Sequence, residues 1–380
     1  MTYIIRQLNV TDINELQQFF IKAYGNETIF QDREFLRWYF GGINFKNGSK
    51  LNCFAAINNQ GEIVSHLGGI VCELMLDGHP IHFFWAVNAY TIPEYRKMGM
   101  GSRIATMLMK KYDAFGVIGF SLKTAKFYES QDVNLFSFKQ FHRYILNFDE
   151  RSFEVLEKIG TDLVKARQLF KIIKKSPPNT HEHENTNLVY ITSENIRNYS
   201  IGYNIEEKAV ILRDMDYLKW RFIDNPYTKY QWIAYVLKNQ ILAYLVVRRE
   251  QLIPMSYYAT RIVDIYGCDD YIKILISQVI TQAHEQGDIF LDFSAFGIHY
   301  DKILKDLKFR CVKNNNVCLF PQVTSPIENR PNQEYIGLYS SVYKSKIARL
   351  KEKDVFFTRA DSDRDRLAKI WQMFPCRGAE

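Results

Sequence analysis

Two nine-residue segments of this chain are versions of one another. Asp32-Arg33-Glu34-Phe35-Leu36-Arg37-Trp38-Tyr39-Phe40 and Asp214-Met215-Asp216-Tyr217-Leu218-Lys219-Trp220-Arg221-Phe222 share Asp, Leu, Trp and Phe at matching positions. Each copy reads as a helix that leads through a polar loop into an apolar strand, Leu51 to Ile57 in the first case and Gln231 to Leu237 in the second. A repeat of this size constrains the fold to duplicated domains rather than a solenoid of small units. The 380 residues are long for one domain and comfortable for two, and a 47% hydrophobic content gives each half enough apolar surface for its own core. The expected division is 1–150, a helix and polar linker over 151–190, and 191–380.

The second half continues with strands at Ile241 to Arg249, Arg261 to Tyr266 and Ile289 to Phe293, and with helices at Tyr271 to Gln286 and Tyr300 to Leu307. Lys174 to Asn187 is polar, carries Pro177 and Pro178, and reads as an exposed linker. His181 and His183 lie in it without a third ligand nearby, so no metal site is expected.

The chemistry concentrates in the first half. Arg96-Lys97-Met98-Gly99-Met100-Gly101 follows the β-rich run Phe83 to Ile92 and opens the helical stretch Ser102 to Tyr112. Gly99 and Gly101 carry no Cβ, so the backbone can turn sharply and present successive N–H groups to a diphosphate, and the new helix adds the positive end of its dipole. Arg96, Lys97 and Arg103 supply countercharge. At the corresponding turn of the second half stands Gly267-Cys268-Asp269-Asp270, whose two carboxylates repel such a ligand.

Strand, R-x-x-G-x-G and helix together resemble the acyl-CoA-binding loop of the GCN5-related N-acetyltransferase (GNAT) superfamily. Three flanking features agree: residues 2–24 look like its opening strand and first helix; Pro93-Glu94-Tyr95 precedes Arg96, with Thr91 in place of the usual Val; and Thr124-Ala125-Lys126-Phe127-Tyr128-Glu129 matches the family's A-x-x-F-Y helix start. The resemblance implies an α/β chain of two tandem GNAT-like domains, each a twisted, mixed, largely antiparallel sheet flanked by helices. The first would bind acyl-CoA and the second would be degenerate.

The family's chemistry then assigns roles. Ala89, Tyr90 and Thr91 would offer main-chain N–H groups to the pantetheine and the thioester carbonyl, and Arg96, Lys97, Met98, Gly99, Met100, Gly101 and Ser102 would hold the diphosphate. Tyr128 would donate the proton to the departing thiolate. Many relatives use a glutamate on this strand as base, but Phe83 to Tyr90 offers no carboxylate. Asn88, His66 and His82 are the nearest polar groups, with a water or the CoA sulfur as alternatives.

The segments Asp214 to Pro226 and Phe356 to Arg366 resemble sugar N-acyltransferases of surface-polysaccharide pathways of the anthrose type. This implies transfer from an acetyl or longer, hydroxybutyryl-type CoA to a nucleotide-linked amino sugar of the dTDP-4-amino-4,6-dideoxyglucose kind, with another small amine such as an aminoglycoside, or non-catalytic acyl-CoA binding, as alternatives. Trp220 beside Arg221 would offer a π-surface and a cation to that acceptor, with Arg248 as a further contact. The net charge of +7 is spread along the chain, so nucleic acid is not an expected partner. The six cysteines show no C-x-x-C pair. With no leader or long apolar run, the expectation is a cytoplasmic monomer or homodimer without membrane insertion.

Overall fold

The computed structural model describes residues 2–26, 28–119, 126, 136–138, 141–173, 187–203, 205–312, 319–322, 327 and 335–365. Seventeen strands among them form one continuous sheet system. In chain order they are β1 (Tyr3–Asn9), β2 (Lys50–Asn58), β3 (Ile63–Leu76), β4 (His79–Thr91), β5 (Ala114–Ile118), β6 (Phe136–Phe138), β7 (Phe141–Asn147), β8 (Leu188–Ile191), β9 (Ser200–Ile201), β10 (Ala209–Ile211), β11 (Gln231–Leu237), β12 (Gln240–Gln251), β13 (Tyr258–Gly267), β14 (Phe290–Phe296), β15 (Arg310–Val312), β16 (Ile336–Tyr339) and β17 (Val355–Thr358).

The two halves repeat one plan. In the first, β1 to β4 run antiparallel to their neighbours and β4 pairs parallel with β5. In the second, β11, β12 and β13 are antiparallel and β13 pairs parallel with β14. Each parallel step crosses over through a helix, α3 (Met100–Lys111) in the first half and α4 (Asp269–Glu285) in the second. Buried Ile104, Leu108 and Met109 pack α3 onto Phe54, Leu67 and Phe84 of the sheet, the apolar stripe expected of a helix laid on a strand face.

On the face opposite α3 lie α1 (Ile13–Tyr24) and α2 (Arg33–Gly41). Asp32 starts α2 by accepting a hydrogen bond from the Phe35 N–H at 2.9 Å, and Asp214 does the same for Tyr217 at 2.7 Å. The repeated aspartate is thus an N-cap in both copies. The second copy is a short helix, Met215–Leu218, that passes into a π-helical turn over Lys219–Ile223.

The strands do not divide at residue 150. β7 leaves the first half and pairs antiparallel with β14 along its full length, from Asn147 opposite Phe290 to Phe141 opposite Phe296. In return, β16 pairs with β5 and β6, and β10 extends the edge of β3. Strand β17 joins the halves, parallel to β10 and antiparallel to β14. Buried charge pins this exchange: Arg143 on β7 donates to Asp292 on β14 at 2.6 Å, and Arg261 donates to the same carboxylate at 2.9 Å. Burial pushes that carboxylate up, but the two guanidiniums outweigh it and hold its pKa below the usual range.

A fragment ending at Asp149 therefore lacks the partner of β7 and the strands that border β3 and β5. It is expected to give no cooperative urea transition. A soluble fragment with a sigmoidal unfolding curve would show that the exchanged strands are dispensable.

Candidate functional site

β4 carries an extra residue against β3. His66 is opposite Tyr90 and Gly68 is opposite Val87, so two steps on β3 face three on β4. The bulge rests on Asn88, whose φ of +52° lies in the left-handed region that asparagine tolerates better than other non-glycine residues. His66 holds it there, with Nδ1 donating to the Asn88 carbonyl at 3.0 Å. Gly68 leaves room for the Phe40 ring, which would lie 2.3 Å from any Cβ at that position.

The bulge turns the end of β4 out of the sheet. Pairing with β5 stops at Ala86 opposite Val117, so Asn88, Ala89, Tyr90 and Thr91 have no strand on that side among the described residues. Their main chain lines a wedge between β4 and β5. At its mouth, Pro93–Met98 makes a 3-10 turn and Gly99, with φ of +71°, starts α3. No side chain caps α3, so the N–H groups of Met100, Gly101 and Ser102 face outward. A Cβ at Gly99 would meet nothing within 4 Å, and one at Gly101 would touch only Thr91 Oγ1 at 3.4 Å. Arg96, Lys97 and Arg103 are exposed around this turn, with Arg96 held by the Thr91 carbonyl at 3.1 Å and the Tyr90 ring at 5.5 Å. The expected diphosphate residues thus form one cationic, uncapped helix start.

The equivalent turn in the second half is filled. The Tyr300 hydroxyl accepts from the Gly267 N–H at 3.0 Å and donates to the Gly267 carbonyl at 2.8 Å. A Cβ at Gly267 would fall 2.3 Å from the Ala243 Cα, and Asp269 and Asp270 occupy the first turn of α4.

The proposed bases separate. His66 is buried among the rings of Phe19, Phe20 and Phe40, with centroids 5.0–5.7 Å away. Burial lowers its pKa to about 4, against a smaller raising effect of the Asn88 hydrogen bond. It is a neutral clamp on the bulge. His82 is exposed six residues before Asn88, roughly 20 Å along an extended strand, and its N–H donates to Asp113 at 3.0 Å. Of the three, Asn88 alone lines a cavity, donating to the Tyr39 hydroxyl at 3.3 Å. Tyr128 lies outside the described residues, as do His181 and His183.

The acceptor residues read from the sequence need correction. Trp220 is 1% exposed and cannot stack on a nucleotide base: its Nε1 donates to the Trp38 carbonyl at 3.0 Å, and the Trp38 Nε1 donates back to the Trp220 carbonyl at 3.0 Å. Arg221 is buried, with Nε donating to the Ala360 carbonyl at 3.0 Å and Nη2 to that of Ser362. Arg248 is buried against Asp365 at 3.0 Å and Glu250 at 2.5 Å. These guanidiniums hold the C-terminal stretch, so a diphosphate would have to displace their partners.

That stretch brings residues to the site that spacing did not reveal. A cavity of about 50 Å³ lies against Asn88, walled by Tyr39, Arg221, Tyr230, Asp363 and Asp365. Burial raises the pKa of Asp365, but Arg248 and the Tyr230 hydroxyl, which donates to it at 2.7 Å, bring it below the ordinary carboxylate value. The only sequence signal was the run Asp361-Ser362-Asp363-Arg364-Asp365, with nothing to say where it folds back. Among the described residues no cluster of three or more His, Cys, Asp or Glu side chains could hold a metal ion, and no helix is long and apolar enough to cross a membrane.

No protein-family model and no curated protein sequence matches the chain. Solved structures do. A protein of Enterococcus faecalis described as a probable N-acyltransferase superposes with a TM-score of 0.57 at 10% identity, covering 92% of this chain and 74% of its own. A GCN5-related N-acetyltransferase of Anabaena variabilis gives 0.53 at 10% identity, covering 89% and 72%. Saccharomyces cerevisiae N-myristoyltransferase with bound myristoyl-CoA gives 0.52 at 8% identity, covering 90% and 79%. At these identities the likeness is one of fold: a mixed α/β sheet flanked by helices, of the GNAT type.

His66 makes the site acid-sensitive. Its unfolded pKa near 6.5 exceeds the folded value of about 4, so between them the unfolded chain binds more protons. The associated stability, about 3 kcal/mol, is complete above pH 6.5 and is lost as pH falls toward 4. Urea midpoints measured across this window should fall less steeply in His66→Gln than in the native chain; parallel curves would contradict the clamp.

Proposed function

We propose that the chain is an N-acyltransferase that takes its acyl group from acyl-CoA and passes it to a primary amine. One observation carries this reading. Two helix starts occupy equivalent places, each without a side-chain cap and each after a strand whose end leaves its parallel neighbour; the first is ringed by Arg96, Lys97 and Arg103, whereas the second carries Asp269 and Asp270 and has Tyr300 bonded to Gly267.

The geometry supports a direct transfer. The diphosphate rests on the N–H groups of Met100 to Ser102 with Arg96, Lys97 and Arg103 as countercharge. The pantetheine extends along the unpaired edge of β4, where main-chain N–H groups of Ala89 to Thr91 polarise the thioester carbonyl. The acceptor nitrogen attacks the carbonyl carbon, the tetrahedral adduct collapses, and the C–S bond breaks. Tyr128, carried by the A-x-x-F-Y resemblance, gives its proton to the leaving thiolate and recovers one from the amine through a water.

For the acceptor, the resemblance of 214–226 and 356–366 supports a nucleotide-linked amino sugar whose amino group enters the small cavity beside Asn88. The buried state of Trp220, Arg221 and Arg248 leaves its nucleotide without the contacts expected for it. A second reading is favoured by the cavity's size, about 50 Å³, and its lining of Asp363 and aromatic rings: a small amine without phosphates.

Free thiol released from acetyl-CoA or hydroxybutyryl-CoA, followed with dTDP-4-amino-4,6-dideoxyglucose and with aminoglycosides, separates these acceptors. Tyr128→Phe should lower kcat by roughly 10-fold to 100-fold with KM for acyl-CoA little changed. Gly99→Val should abolish acyl-CoA binding by calorimetry in a folded protein. Native affinity in Gly99→Val would remove the loop assignment, and binding without turnover on any amine would favour a non-catalytic acyl-CoA-binding role.

A further inference from the structure

A second cavity, of about 1190 Å³, opens beside the exchanged strand β7. Register places Cys311 of β15 opposite Tyr144 of β7, and alternation along β7 puts His142 on the same face. His142 is 2% exposed, and its two ring nitrogens are both engaged. Nδ1 lies 3.4 Å from the Cys311 Sγ, and Nε2 meets Glu352 Oε1. Thiol, imidazole and carboxylate stand in series, the order of a nucleophile, its base and the group that fixes the base's tautomer. With Nε2–H donating to Glu352, the Nδ1 lone pair points at the thiol.

The cavity wall is cationic. Lys165, Lys171, Lys305, Lys308 and Arg310 line it, against the carboxylates of Asp301 and Glu352. Asp301 is itself occupied, accepting from Tyr144 at 3.0 Å and from Lys305 at 2.6 Å. Cationic neighbours favour a phosphate-bearing ligand. Tyr144 stays protonated because burial, Cys311 and Asp301 all raise its pKa.

We propose that Cys311 is a nucleophilic thiol that accepts the acyl group of a thioester carried on a phosphate-bearing thiol. The Cys311 proton passes to His142 Nδ1, and the sulfur attacks the thioester carbonyl. The bond to the carrier sulfur breaks and the carrier thiolate takes the proton from His142. One thioester replaces another, so no further reactant is needed. The site is built from β7, β15 and residues near 352, so it does not depend on the Arg96–Gly101 loop.

Acetyl-CoA is the probe, used with the full chain. Intact mass should show one added acetyl group, mapped to Cys311, removed by neutral hydroxylamine and absent from Cys311→Ala. The label should persist in Gly99→Val, which separates this site from the transfer site. His142→Asn should slow labelling by roughly 100-fold or more. Glu352→Gln, at a partly exposed position, provides a folded control with a smaller loss. Lys305→Ala with Lys308→Ala should raise half-saturating acetyl-CoA and leave the maximal rate unchanged. Three results each overturn the proposal: no hydroxylamine-sensitive label on a Cys311 that iodoacetamide still alkylates, labelling no faster than in the urea-unfolded chain, or a label that vanishes in Gly99→Val.

Discussion

Trp38 and Trp220 exchange hydrogen bonds. Each indole N–H donates to the other's carbonyl at 3.0 Å, and the rings lie 5.8 Å apart. This reciprocal pair joins the two copies of the repeated segment. Each bond contributes about 1 kcal/mol, and an unmade one leaves a buried donor whose desolvation costs about as much again. The geometry matters more than the energy, because it fixes α2 against its repeat and brings Tyr39 and Arg221 to the same cavity beside Asn88. Arg221 then holds Ala360 and Ser362, which carry Asp363 and Asp365 into the same wall.

The repeated plan supplies two equivalent turns of opposite chemistry. The first keeps glycines, cations and an open helix start. The second has Asp269 and Asp270 in the helix's first turn and a tyrosine hydroxyl bonded to both polar groups of Gly267. An anion that gains from the dipole and N–H groups of α3 would meet repulsion and a filled turn at α4. The second half instead completes the first: β16 borders β5, and Asp363 and Asp365 wall the small cavity against Asn88.

Local chemistry was legible in the sequence and long-range partnership was not. Apolar runs located β2 and β11 to β14, and the glycines located the turn before α3. Trp220 and Arg221 misled because residue type says what a side chain can bind, while burial decides what reaches it. Nothing in the sequence of β7 distinguishes pairing with β6 from pairing with β14, since an apolar strand fits either neighbour; the Arg143–Asp292 bond that selects β14 spans 149 residues. Asn88 was read as a possible catalyst, and its left-handed backbone, which opens the wedge, has no signature beyond an asparagine inside a strand.

The account rests on one of two related helix starts being an anion site. Amide hydrogen exchange with and without CoA reads both at once. CoA should slow exchange at residues 99–103 and leave 268–272 unchanged. Protection at 268–272, or none at 99–103 under saturating CoA, would contradict the assignment of acyl-CoA to the first half.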